Sequence, residues 1–189
     1  MDFGEFMERF KILGFAEIVK QQTTYFDISC STNLADSNRN LFRIHFKNKH
    51  EFFLGNGKFL TIDCTDEHPL LLEYKEDIAR VQLTSMVPDK ALLRRNLENA
   101  AKRVFGHWRY LDSFTFRPAD EFFDLSFGTL MEAPITFASA AIEAAAASGV
   151  TLSVVHNIGP KDVQAKLLLL DNWYVIADDF RVEELELRM

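Results

Sequence analysis

Cysteine is scarce in this chain: Cys30 and Cys64 are the only two among 189 residues. Two thiols cannot build the disulfide framework that small secreted domains depend on. Each falls on the apolar side of an expected strand, in the alternating sets Phe26, Ile28, Cys30 and Leu60, Ile62, Cys64. The expectation is therefore two free thiols packed as small hydrophobes.

Targeting and membrane signals are absent as well. The first residues, Met1-Asp2-Phe3-Gly4-Glu5, lack the basic stretch and apolar run of a signal peptide, and no Asn-x-Ser/Thr acceptor occurs. The most apolar stretch, Ala133 to Ala147, is interrupted by Glu143 and falls short of the roughly 20 residues that a span needs. A cytoplasmic location with no membrane role is the expectation.

The familiar catalytic signatures are missing too. There is no Gly-x-Ser-x-Gly elbow, no Gly-x-x-x-x-Gly-Lys-Ser/Thr loop and no Gly-x-Gly-x-x-Gly fingerprint. Gly55-Asn56-Gly57-Lys58 has only the end of a phosphate loop, without its first glycine or its hydroxyl residue, and reads as a turn. No cofactor is implied.

What is present in excess is phenylalanine, 18 residues of it. A ring without a hydrogen-bonding group belongs in a core or an interface. The net charge of −7 argues against a protein wrapped in nucleic acid.

Periodicity supplies the architecture. Phe3, Phe6, Met7, Phe10 and Leu13 form one stripe of a helix over 2–13, which Gly14 can end. From Thr23 to Thr84 the period falls to two, most clearly where Phe42, Ile44 and Phe46 alternate with Arg43, His45 and Lys47. Further strands are expected at 51–54, 58–63, 69–74 and 78–84, with Gly55-Asn56-Gly57 as a hairpin turn between the first two.

A second helical pattern runs from Pro88 to about Arg109, burying Leu93, Leu97, Ala100, Ala101, Val104, Phe105 and Trp108. Pro134 and Gly149 bracket an alanine-rich helix expected to be buried against a sheet. Strands are expected at 150–156, 165–170 and 173–177, and 181–188 either extends the last of them or forms an acidic tail. A faint echo links Leu70-Leu71-Leu72-Glu73 to Leu168-Leu169-Leu170-Asp171 and raises an internal duplication. The expected class is α+β: mainly antiparallel sheet with an N-terminal helix, a basic central helix and the alanine-rich helix. One compact unit over 1–189 is expected, with Met86-Val87-Pro88-Asp89 as the place for a subdomain boundary.

Four constellations carry chemistry. His45, His50 and His68 are candidate metal ligands with Asp63, Asp66 or Glu67, although no His-Glu-x-x-His spacing occurs, and surface histidines are the plainer reading. His156 follows Leu152 and Val154 on one strand face and reads as a structural histidine. Asp120 with Asp124, and Asp178 with Asp179, are carboxylate pairs that solvation or capping explains as well as acid–base work does.

The fourth is the basic helix. Lys90, Arg94, Arg95, Lys102, Arg103 and Arg109 face only Asp89 and Glu98, so the rest of a chain of net −7 carries −11. Arg94, Arg95, Lys102 and Arg103 are the candidate binding residues, for a protein partner or self-association; the plainer reading is pairing with the chain's own carboxylates, such as Asp120-Glu121 or Glu183-Glu184, or solvation of one face. A non-catalytic protein-interaction module is the functional expectation. The alternative is a small-ligand protein or enzyme with an apolar aromatic pocket, metal-dependent or not, with His156 or Asp178 at its mouth.

Overall fold

The computed structural model describes residues 1–32, 39–125, 127–161 and 163–186. In chain order the elements are α1 (Phe3–Leu13), β1 (Ala16–Gln21), β2 (Tyr25–Cys30), β3 (Asn40–Phe53), β4 (Lys58–Phe59) and β5 (Asp63–Thr65). There follow α2 (Leu72–Lys75), β6 (Ile78–Leu83), α3 (Lys90–Phe105), α4 (Ala119–Phe123), β7 (Gly128–Pro134), α5 (Ile135–Ala146) and β8 (Leu152–Ile158), then β9 (Lys166–Leu170) and β10 (Trp173–Leu185). The class is α+β, with sheets that are mainly antiparallel.

Contacts divide the chain into two units, Met1–His68 with Val163–Met189 and Pro69–Asp162. The divisions therefore fall at 68/69 and 162/163. Met86-Val87-Pro88-Asp89 lies inside the second unit, between β6 and α3, which share one core.

The first unit is a seven-stranded sheet in the order β4-β1-β2-β3-β10-β9-β5. Its helix α1 starts on a capping box, in which Asp2 accepts from the Glu5 amide and Glu5 reaches back, and ends at Gly14 with φ 70°. The expected stripe delivers Phe6 and Phe10, both buried, onto Phe42 at 5.1 Å and Phe59 at 5.9 Å. Alternation along β2 and β3 places Phe26, Ile28, Cys30, Phe42 and Ile44 in the same core. Twelve of the 18 Phe are buried in this way across the chain, while Phe52, Phe53, Phe116 and Phe127 stay exposed.

Two strand expectations merge here. Residues 42–46 and 51–53 belong to the single strand β3, which holds Asn48 at φ 48° and shifts its register with β10 at His50. The expected hairpin at Gly55-Asn56-Gly57 does not form: the end of β3, at Glu51, Phe52 and Phe53, pairs with β10. The returning strand β4 pairs with β1 instead. These glycines serve an approach: a Cβ on Gly55 would lie 2.5 Å from the Trp173 indole.

The turn from β9 to β10 holds Asp171 at φ 52° and aims its carboxylate at Leu60 N (3.0 Å), Thr61 N (2.8 Å) and Thr61 Oγ1 (2.6 Å). That capture leaves Leu60 exposed, against the alternation that placed it in the core, with Ile62 buried and Cys64 half-buried. β10 continues to Leu185, so 181–185 extends the strand, and 187–189 lie outside the described residues.

The second unit packs α3 and α5 beside the antiparallel sheet β7-β6-β8. Its core combines Leu93, Leu97, Ala101 and Phe105 of α3 with Phe137, Ala138 and Ala141 of α5 and Val81 and Leu83 of β6. The alanine-rich helix is buried on one side only, since Thr136, Ser139, Glu143 and Ala146 face outward. Residues 69–74 are not a strand. Pro69 opens a tight 3-10 turn that runs into α2, and Leu70, Leu71 and Tyr74 are buried at helical spacing. The Leu70 and Leu168 segments thus adopt different structures, helical turn and strand, so the echo is not a structural repeat.

Candidate functional site

The basic helix α3 is set by its ends and its apolar face. Asp89 caps it by accepting from Leu92 N at 2.8 Å, and Gly106 closes it at φ 64°. Burying Leu93, Leu97, Ala100, Ala101 and Phe105 forces the cations outward.

Those cations divide into two sets. Arg94 is held by three carboxylates: Nε donates to Glu98 at 2.7 Å, one terminal nitrogen to Asp120 and the other to Asp112 at 3.2 Å. Its hydrogen bond to Glu98 raises the guanidinium pKa further, and burial opposes this only in part. Lys90 meets Asp124. Asp120 and Asp124, four apart at α4, therefore face Lys90 and Arg94, four apart on α3, as two rungs of one ladder. Arg109 Nε donates to Glu73 at 3.1 Å.

The second set is Arg95, Lys102 and Arg103, all exposed and, among the described residues, without an ion-pair partner. With Asn99 between them they occupy positions i, i+4, i+7 and i+8, one continuous stripe of the helix. Beside the stripe lies a cleft of about 600 Å³, lined by Asn99, Lys102, His107, Tyr110 and Asp112 among others. Tyr110 is 71% exposed at its rim, and the His107 and Trp108 rings lie 4.4 Å apart.

The histidines meet separate carboxylates. His45 contacts Glu183 at 3.2 Å and His50 contacts Asp178 at 2.6 Å, so each engages its own carboxylate on β10. Among the described residues no three His, Cys, Asp or Glu are placed to hold a metal ion, and the set His45, His50 and His68 with Asp63, Asp66 or Glu67 does not assemble. Asp178 accepts from Asn48 Nδ2 at 2.7 Å as well as from His50, and these bonds hold its carboxyl below the ordinary range. Asp179 is likewise lowered, first by its 2.8 Å bond from Lys166. The pair is thus two carboxylates with separate partners.

His156 is exposed on β8 opposite Arg80, because the register shift at Val155 turns it away from the face of Leu152 and Val154. In the core of the second unit Phe105 packs 5.0 Å from Phe114 and 5.5 Å from Phe137. Burial in apolar surroundings pushes the Cys30 thiol up to about 12 and Cys64 to about 11, the opposite of an activated nucleophile.

No protein-family model, curated protein or solved structure matches the chain. Among the described residues no helix is long and apolar enough to cross a membrane. Sequence reasoning found the α3 cations but missed which were neutralised. The four-residue spacing of Asp120 and Asp124, matching that of Lys90 and Arg94, was the signal for it.

Proposed function

We propose that this chain is a non-catalytic protein-interaction module that receives an acidic segment of a partner protein on the outer face of α3. The observation that carries the reading is the division of the cations. Lys90, Arg94 and Arg109 are spent on the chain's own carboxylates, whereas Arg95, Lys102 and Arg103 stand exposed in one stripe. Arg94 then acts as a positioning residue that ties α3 to α4, and the other three meet the partner.

An acidic protein segment fits better than nucleic acid. Three cations on a chain of net −7 supply few phosphate contacts against a long-range repulsion. The neighbouring cleft, with Tyr110 and His107 at its edge, offers ring surface and polar groups for side chains beside the carboxylates.

A fluorescein-labelled poly-glutamate peptide and a labelled DNA duplex serve as probes, followed by anisotropy at low salt and at about 0.15 M NaCl. The expected result is saturable binding of the peptide, weaker at the higher salt, and loss of binding in the Arg95→Glu/Lys102→Glu/Arg103→Glu variant. Circular dichroism establishes that this variant is folded. Peptide binding unchanged in the folded variant, or a preference for the duplex, would overturn the reading.

A further inference from the structure

β8 is the outer strand of its sheet, and its only strand partner among the described residues is β6. Its sequence is Leu-Ser-Val-Val-His-Asn-Ile, and from Thr151 to Pro160 no residue carries a formal charge at neutral pH with histidine neutral. Ser153 is half-buried and every later residue of the strand is exposed, with Val154, Val155 and Ile158 at 38%, 48% and 43%.

The other outer strands are blunted. β4 and β5 have two and three residues and carry Lys58 and Asp63, while β7 carries Glu132 and ends at Pro134. Shortness, charge and proline are the usual means by which an edge is kept from pairing. β8 has a register shift at Val155 on its β6 side, but neither charge nor proline within its seven residues.

We propose that β8 pairs antiparallel with β8 of a second copy of this chain, joining two three-stranded sheets into one of six strands. A second copy is the occupant because of charge. The chain as a whole is −7, so two copies repel over most approaches. Along β8 no like charges oppose each other in any register, so this edge is a place where two copies can meet without that penalty. Antiparallel pairing about a two-fold axis is self-complementary: one residue sits on the axis and its neighbours exchange partners. Val154, Val155 and Ile158 then cover apolar surface that is open in the single chain. This surface is separate from the α3 stripe, and its test does not depend on that reading.

The first measurement is the mass of the whole chain by light scattering after gel filtration, loaded at about 100 µM. Twice 21.8 kDa is expected, and 21.8 kDa overturns the proposal. Val155→Lys and Asn157→Lys, made separately at exposed positions, are each expected to weaken the dimer by about tenfold or more, since they set like charges close to the axis. A dimer unchanged in both folded variants overturns the proposal.

The second measurement is a cysteine scan over Val154, Val155, His156 and Asn157, oxidised and run without reductant. Covalent dimer is expected to peak at one position and fall on either side of it, because a two-fold axis brings one residue closest to its own copy. Crosslinking no greater than that of the parent chain, whose Cys30 is buried and Cys64 half-buried, overturns it.

Discussion

Gly55→Ala adds a single methyl group, and the structure states what it meets. The new carbon would lie 2.5 Å from Cε2 and Nε1 and 2.6 Å from Cζ2 of Trp173. Carbon atoms rest at about 3.5–4.0 Å, so the overlap is roughly 1 Å against three atoms of one rigid ring. The backbone at Gly55 is outside the left-handed region, so the steric effect stands alone. Trp173 is braced edge-on by Phe59, with ring centroids 6.4 Å apart at 71°. Overpacking of this kind costs about 1–3 kcal/mol. With a urea slope near 2 kcal/mol per molar, the midpoint falls by about 0.5–1.5 M. The assay uses the thiols: Cys30 and Cys64 both belong to the first unit, so a short pulse of Ellman's reagent at each urea concentration reports the unfolding of that unit alone. Trp173→Leu removes the ring and provides the second background of a double-mutant cycle. Gly55→Ala should be close to neutral there. An equal loss in both backgrounds, or none in the parent, refutes the reasoning.

Three further outcomes follow from the same structure. Without urea, Ellman's reagent at neutral pH should label neither thiol on the timescale of an exposed cysteine, because burial raises Cys30 to about 12 and Cys64 to about 11; rapid labelling of Cys30 would contradict its place in the core. Burial acts to raise the Asp171 pKa, but the Thr61 hydroxyl and the amides of Leu60 and Thr61 outweigh it and leave the pKa lowered. The stabilisation it provides is present above the carboxylate's ordinary value and is lost as pH falls through the lowered one. Asp171→Asn, which tolerates the same positive φ, should cost about 1 kcal/mol at neutral pH, and its deficit against the parent should close below about pH 4 in acid titrations of the unfolding midpoint. Phe105→Ala leaves a cavity beside Phe114 and Phe137 and should cost about 3–5 kcal/mol, read from Trp108 emission in a Trp173→Phe background.

Local periodicity was enough for α1, α3 and the alternation of β2, β3 and β6, because each has one face in a core and the spacing records it. It failed where a distant pairing decides the outcome. Gly55-Asn56-Gly57 has the chemistry of a hairpin turn, yet the end of β3 pairs with β10, more than a hundred residues on, and the returning β4 pairs with β1. Residues 69–74 carry apolar side chains suited to either period, and Pro69 with the burial of Leu70, Leu71 and Tyr74 chose the helical one. The basic helix was legible as a count of charges. The division of those charges was not, since it depends on α4 lying beside α3, and the segment containing α4 has no clear period. His156 shows the converse: its spacing from Leu152 and Val154 suggests one face, but the register shift at Val155 turns it to the opposite face, beside Arg80, which no local pattern records.

The pairing of β5 with β9 has a consequence for the order of folding. Thr65 lies opposite Leu167, so closing that pair in an unstructured chain ties off a loop of about a hundred residues, at an entropic cost near 4 kcal/mol plus a constant. Every residue of that loop except its short ends belongs to the second unit, which is continuous in sequence and holds its own core. Once it has folded, Ile78 is paired with Ile158 across that loop, and most of that cost has already been met. The insertion should therefore fold first and hand the outer strands of the larger sheet to each other, so that damage to Phe105 slows a sheet whose core it does not share.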